Sequence, residues 1–393
     1  MNQTMEKSID DIIQSLKGNP MFHLSLGSKE LFHSNFLEFL WEQNPTAFLE
    51  MLKEIVIKEK DKNQIQDLIK KIDKNKEYLK LAREKEHFDI CIFHNESNKI
   101  VYDIIIENKV KSIPYKAQLC EYIDKIRKKK QSPVYILLSL AQNFAEQAEI
   151  SKSWNVIDYK ELESKIKTYY SNDNQYINDY CLLIKNLNEL EEKLFTNNEK
   201  FFNGKIYESL KEIRLHDLYL KQSGSIFIGE ISQRIKSKIK EAIIIIGKEN
   251  RDDKSHKIFL SNTMNNGKST LTATILFGKA FYTIQIEGDQ YRHMFNSAGL
   301  AAKSCKKNSE KVDGNKLEKR LHNNAALNFV KFVNDYDVTD LSGDLNKNYC
   351  RYGEDVVYRY KKFTDKDDML DIMANDIMNT YQKLLKASQI NNQ

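Results

Sequence analysis

Apolar residues recur at helical spacing from Met5 to Ile72, interrupted only by Pro20 and Pro45, and this pattern predicts three or so helices. Among them are Lys29–Glu42, carrying ELFHSNFLEFLWE, and a long amphipathic helix from Thr46 to Ile72. At Phe88 the period changes. FDICIF (Phe88–Phe93) and IVYDIIIEN (Ile100–Asn108) have strand length and composition, and the polar HNESNK between them makes a hairpin. Pro114 opens a helix that runs to about Lys130, and Pro133 precedes the strand VYILLSL. An Ala- and Gln-rich helical stretch, the strand WNVIDY (Trp154–Tyr159) and helices to about Phe195 complete this half. The order α, β, β, α, β, α, β predicts an α/β sandwich.

Thr196-Asn197-Asn198 and Asn203-Gly204 mark a boundary, which gives one domain over residues 1–198 and a separate α+β domain over residues 205–393. In the latter SIFIGEI, AIIIIG, KIFLSN, STLTATILFG and AFYTIQIEG are predicted strands, the last two turning at Gly278-Lys279. A basic segment and helices from about Asp365 to Leu385 follow.

The length of 393 residues suits two or three domains with a sizeable core. No apolar run approaches the roughly 20 residues that span a bilayer, and the start MNQTMEKSIDDI lacks the features of a signal peptide, so a cytoplasmic protein without a membrane partner is expected. The five cysteines are scattered and form no CxxC pair, and the eight histidines show no HxxxH spacing, which argues against a disulfide framework and a zinc site. The net charge of +5 is unevenly spread: residues 1–200 carry 30 Lys/Arg against 32 Asp/Glu, residues 201–393 carry 31 against 24. A basic second half suits a nucleic-acid partner, although a gene rich in A and T would also yield abundant Lys, Asn and Ile.

Candidate chemistry lies between Phe88 and Tyr122. Asp89 opens one strand and Glu107-Asn108-Lys109 closes the next, and because a strand projects alternate residues to one face, Glu107 and Lys109 point together beside a carboxylate on the neighbouring strand. Two carboxylates suit Mg²⁺, and an adjacent lysine suits a water nucleophile and phosphate charge. An unpaired carboxylate at Asp89 would be costly inside so apolar a run, so a ligand, a core lysine or a turn is expected to partner it. Asp103 is a rival but stands four residues before Glu107, roughly 13 Å away at the ~3.3 Å rise of a strand, and is read as structural. Gln118 and Tyr122 share a helix face bordering the same strand end, either as site residues or as a buried amide with a tyrosine beneath it.

Asp89, the Glu107-Asn108-Lys109 triplet and Gln118-Leu-Cys-Glu-Tyr122 resemble the PD-(D/E)xK nuclease superfamily, and Glu30-Leu-Phe-His33-Ser34 resembles the first core helix of a bacterial branch of it, E-x-x-H-S. The resemblance spans about residues 25–165. It implies a restriction-endonuclease-like α/β sandwich with a mixed central sheet, followed by the α+β domain. It implies catalytic Asp89, Glu107, Lys109, Gln118 and Glu30, with Asp89, Glu107, Glu30 and the peptide carbonyl of Asn108 holding Mg²⁺, for which Mn²⁺ can substitute. It implies hydrolysis of nucleic acid, DNA first, in restriction or anti-phage defence. Glu38 is the rival to Glu30, and His33 is read as a phosphate contact or a satisfied helix histidine. Phe88 replaces the proline that can precede the first aspartate.

Of the basic segments, Lys125–Lys130 suits a helix C-terminus with or without DNA, and Lys303–Arg320, seven basic residues after Tyr291-Arg292-His293, is the candidate nucleic-acid contact or else a solvated loop. Gly267-Lys268-Ser269-Thr270 lacks the earlier glycine of a phosphate loop and leads into strands, which excludes an NTPase. The expected function is therefore a metal-dependent nuclease whose C-terminal domain selects substrate, senses an effector or binds a regulatory partner. The alternatives are a catalytically silent nucleic-acid-binding or regulatory protein on the same core, and a protein whose active part is the C-terminal domain. A homodimer would suit double-strand cleavage, but no residue pattern points to one.

Overall fold

A computed structural model describes residues 7–28, 30–110, 112–141, 144, 146–170, 174–195, 204–247, 257–265, 268–277, 280–296, 350–352, 356–362 and 369–390. Backbone contacts divide the chain into two compact units, residues 1–198 with 203–222, and residues 199–202 with 223–393.

The first unit begins with helices α1 (Ile9–Lys17), α2 (Pro20–Ser28), α3 (Glu30–Gln43), α4 (Pro45–Ile55) and α5 (Glu59–Lys74). There are five where the periodicity predicted three, and the stretch read as one helix from Thr46 to Ile72 is two. Asn44 caps α4 by accepting from the Ala47 amide, with Pro45 in the first turn where its missing N–H costs nothing. The apolar period continues past Ile55, but Val56 is extended, and the amides of Ile57 and Lys58 donate instead to Oδ1 of Asn155, 3.1 and 3.2 Å away. A partner distant in sequence thus satisfies the break.

Strands β1 (Lys80–Lys85), β2 (Phe88–Glu96), β3 (Lys99–Lys109), β4 (Val134–Ser139) and β5 (Asn155–Asp158) lie side by side in chain order. β1, β2 and β3 are antiparallel, whereas β3, β4 and β5 are parallel, which makes the sheet mixed as expected. Helix α6 (Lys116–Lys128) and the single turn α7 (Gln147–Ile150) occupy the two crossovers, and α8 (Tyr159–Tyr170), α9 (Gln175–Phe195) and α10 (Gly204–Glu212) follow. Ile104, Ile105 and Ile106 are all fully buried, as a central strand covered on both faces requires. Cys91, Ile105 and Leu137 pack with Leu119 and Ile126 of α6 into one core. β1 was not predicted: Lys80, Arg83, Glu84 and Lys85 hide its strand character, and an edge strand tolerates such charge.

The second unit holds the residues from Ser223 onward of α11 (His216–Lys238), strands β6 (Ile243–Ile246), β7 (Lys257–Asn265), β8 (Lys268–Phe277), β9 (Ala280–Glu287), β10 (Gln290–Asn296), β11 (Cys350–Tyr352) and β12 (Val356–Lys362), and helix α12 (Met369–Ile390). Among the described residues seven strands run in the order β11-β12-β10-β9-β8-β7-β6, parallel between β6 and β7 and antiparallel elsewhere. SIFIGEI is helix and not strand. Ile228, Ile231, Ile235 and Ile239 repeat at three- and four-residue steps and bury one stripe against Ile258, Leu271 and Ile284, and this longer period overrides the local apolar run. Gly224 permits the approach, because a Cβ there would collide with the Asn262 side chain. Gly224→Ala is expected to destabilise the protein by about 1–3 kcal/mol, seen as a lower midpoint in urea; an unchanged midpoint would show that Asn262 gives way. The boundary residues Thr196–Asn203, the Gly278-Lys279 turn, Gly267 of the rejected phosphate loop and the basic segment Lys303–Arg320 lie outside the described residues.

Candidate active site

The ends of β2 and β3 build the site from strand parity. Ile90 pairs with Ile106, so the register continued by one residue sets Asp89 across from Glu107. Glu107 and Lys109 share the face of β3 that looks toward α6, and Asn108 looks the other way. The Lys109 ammonium lies 2.7 Å from Oε1 of Glu107, and the Gln118 amide from α6 donates to that oxygen at 3.2 Å. Gln118 also donates to the Tyr122 hydroxyl at 2.9 Å, which donates in turn to the carbonyl of His87 at 3.0 Å. Asp89 Oδ2 accepts from the Asn108 amide at 2.7 Å.

These groups are far from water. Glu107 is 1 % exposed and Lys109 9 %. Burial, followed by the repulsion of Asp89, pushes the Glu107 carboxyl up to about 7 even with Lys109 opposing the rise. Burial also raises Asp89, against the Asn108 hydrogen bond and the Lys109 charge, while the charges of Glu30 and Glu84 add to the increase. For Lys109, burial favours the neutral amine, but the Glu107 carboxylate outweighs it and the ammonium is held more tightly than usual.

Glu30 enters over the end of β3 from the first turn of α3. Its Oε1 accepts from the Ser112 amide at 3.0 Å and from the Ser112 hydroxyl, and its charge is felt at Asp89, Glu107 and Lys109. The sequence reading missed Ser112, which carries no motif. It also missed Tyr159, the first residue of α8, whose hydroxyl donates to Oδ1 of Asn108. The rivals lie elsewhere: Glu38 forms an ion pair with Arg83, and Asp103 meets Nδ1 of His94 at 2.7 Å. His33 is buried, its Nδ1 3.1 Å from the Tyr180 hydroxyl, which suits a satisfied helix histidine. In the basic end of α6, Lys125 and Lys129 are tied to Glu86.

The turn before Asp89 is unusual. Glu86 and His87 have φ of 54° and 72°, left-handed values without a glycine, and Lys85 pairs with Phe88 across them. Contacts from α6 and its C-cap residue hold this turn: Tyr122 on the His87 carbonyl, Lys125 on the Glu86 carbonyl at 2.7 Å, and Lys129 on the Glu86 carboxylate at 2.6 Å.

The donor set suits a hard divalent cation. Oε2 of Glu107 is buried and has no hydrogen-bond partner among the described residues, an orphaned anionic oxygen that a cation would satisfy. Among the described residues no three of His, Cys, Asp and Glu converge as a ready cage; Asp89 and Glu107 are the pair that could hold a cation, with Glu30 beside them on Ser112.

A family model described as the PD-(D/E)XK nuclease superfamily matches residues 19–184. Over those residues the chain is similar to that superfamily. The matched segment runs from α2 into α9 and contains every site residue discussed above, and nuclease activity on nucleic acid, with a divalent metal, is what the PD-(D/E)XK superfamily in general brings. No curated protein and no solved structure gives a significant match to the chain. Among the described residues no helix is long and apolar enough to cross a membrane.

Proposed function

We propose that the protein is a metal-dependent nuclease that hydrolyses phosphodiester bonds of DNA. The observation that carries this reading is the buried Glu107–Lys109 pair with Oε2 of Glu107 left unsatisfied beside Asp89. A structural ion pair is expected to satisfy its own oxygens. This one holds excess negative charge in a dry site.

Asp89 and Glu107, with the Asn108 carbonyl and with Glu30 close by, would hold Mg²⁺ or Mn²⁺. When bound, the cation supplies Lewis acidity toward water and the scissile phosphate. Lys109, already anchored on Glu107, presents an ammonium that orients the attacking water and offsets the negative charge that builds on the phosphate. Gln118 fixes Glu107 Oε1 and is itself fixed by Tyr122, which limits how far the carboxylate can swing. The second unit is assigned to substrate selection or to sensing an effector. Restriction or defence, in the cytoplasm and as a homodimer on duplex DNA, is the setting in which such an enzyme would act.

Plasmid, linear and single-stranded DNA and RNA are the substrates to test, each with Mg²⁺, Mn²⁺ or EDTA. Cation-dependent cutting of DNA that EDTA stops is expected. Folded protein that cuts none of them would shift the reading to a silent regulatory protein on the same core.

A further inference from the structure

The face of β3 turned away from the carboxylates carries a second polar cluster. Asn108 is fully buried between Glu107 and Lys109 in sequence, and its side chain makes three bonds. Its Oδ1 accepts from Tyr159, and its amide nitrogen donates to the Glu30 carbonyl and to the Ser34 hydroxyl, each at 3.2 Å. Its backbone N–H holds Asp89. One residue therefore joins β2, β3, the first turn of α3 and the start of α8. Tyr159 is 1 % exposed, and His33 rests edge-on against its ring at 5.7 Å.

We propose that Tyr159 is a positioning residue of the cation site: by fixing Asn108 it locks the end of β3 to the start of α3 and so sets Asp89, Glu107 and Glu30 relative to one another. The inference rests on the nuclease reading of that site. Tyr159 acts on Asn108 directly, because its ring is buried and its hydroxyl donates straight to Oδ1. Without that donor, Oδ1 of Asn108 loses its partner, and the side chain has reason to turn away from Ser34 and Glu30. This also gives the E-x-x-H-S pattern of α3 a physical basis: Glu30 faces the strand end, while His33 and Ser34 seat the helix on Tyr180, Tyr159 and Asn108.

Tyr159→Phe removes one oxygen and keeps the ring. The readout is the Mn²⁺ concentration that half-saturates the thermal shift of the full chain, with cleavage measured alongside. Tyr170→Phe is the control, because Tyr170 is also buried and donates to the carbonyls of Leu40 and Asn44, at 2.9 and 3.1 Å, away from Asn108. Tyr159→Phe is expected to raise the half-saturating Mn²⁺ about 10- to 100-fold, with cleavage restored by excess Mn²⁺. Tyr170→Phe is expected to lower the metal-free melting temperature and leave half-saturation unchanged. Should Tyr159→Phe fail to fold, Ser34→Ala breaks the same chain of bonds one link on and is expected to raise half-saturation likewise. Unchanged half-saturation in the variant that folds, or an equal rise in Tyr170→Phe, overturns the inference. A wild-type protein without any cation-dependent shift overturns the nuclease reading and this inference with it.

Discussion

Replacing Lys109 by methionine is expected to lower cleavage about 10³-fold, the scale on which removal of a single pre-organised charge or donor acts in a dry site. Methionine keeps the apolar stem that fills the β3–α6 space and removes only the ammonium. The loss of the partner leaves Glu107 buried and uncompensated, which ordinarily costs about 3–5 kcal/mol. Here the cost is smaller, because a carboxyl already pushed up to about 7 escapes by taking a proton. Circular dichroism should therefore report a folded protein at neutral pH while the cleavage assay reports a dead one, and Glu107→Ala should be equally inactive. Activity within tenfold of wild type in either variant would remove Lys109 or Glu107 from the chemistry.

A rise in melting temperature on adding Mn²⁺ or Mg²⁺ is the second expected result, and it needs no substrate. Asp89, Glu107 and Glu30 set three carboxyl groups around one ammonium, so a divalent cation relieves repulsion that folding creates. At a hundred times the dissociation constant the gain is about 2.7 kcal/mol. The pH dependence has a definite sign. A carboxyl whose folded value lies above its unfolded one stabilises the metal-free fold at acid pH, and that contribution is lost as pH rises from the ordinary glutamate range through about 7. A cation takes the place of that proton, so the gain should be larger at pH 8 than at pH 6. Asp89→Asn and Glu107→Gln should each reduce it. An equal gain at both pH values, or one that survives Glu107→Gln, would place the cation elsewhere.

Much of the site was legible because it depends on a two-residue period and on short-range spacing. Asp89, Glu107 and Lys109 sit at strand ends that the apolar runs announce, and Gln118 lies four residues before Tyr122 on a helix that a proline signals. Tyr159 and Ser112 were illegible for the opposite reason. Tyr159 meets Asn108 from 51 residues away across the sheet, and nothing around it distinguishes it from the other tyrosines. The same limit applies to the fold. The break between α4 and α5 depends on Asn155, about a hundred residues downstream. The strand reading of SIFIGEI failed because the sheet that selects its helical stripe is assembled from later residues.

The three residues that close β3 leave no spare position. Glu107 and Lys109 serve one face, where Gln118 of α6 holds Glu107 and Glu107 holds Lys109, and Asn108 serves the other, on Ser34 of α3. A single inserted or deleted residue in this strand would exchange the faces, delivering an amide to the side of Asp89 and a carboxylate to Tyr159 and Ser34. Length changes are therefore expected to be tolerated only in the connections outside the strand, and grafted segments belong there, with the count from Asp89 to Lys109 left untouched.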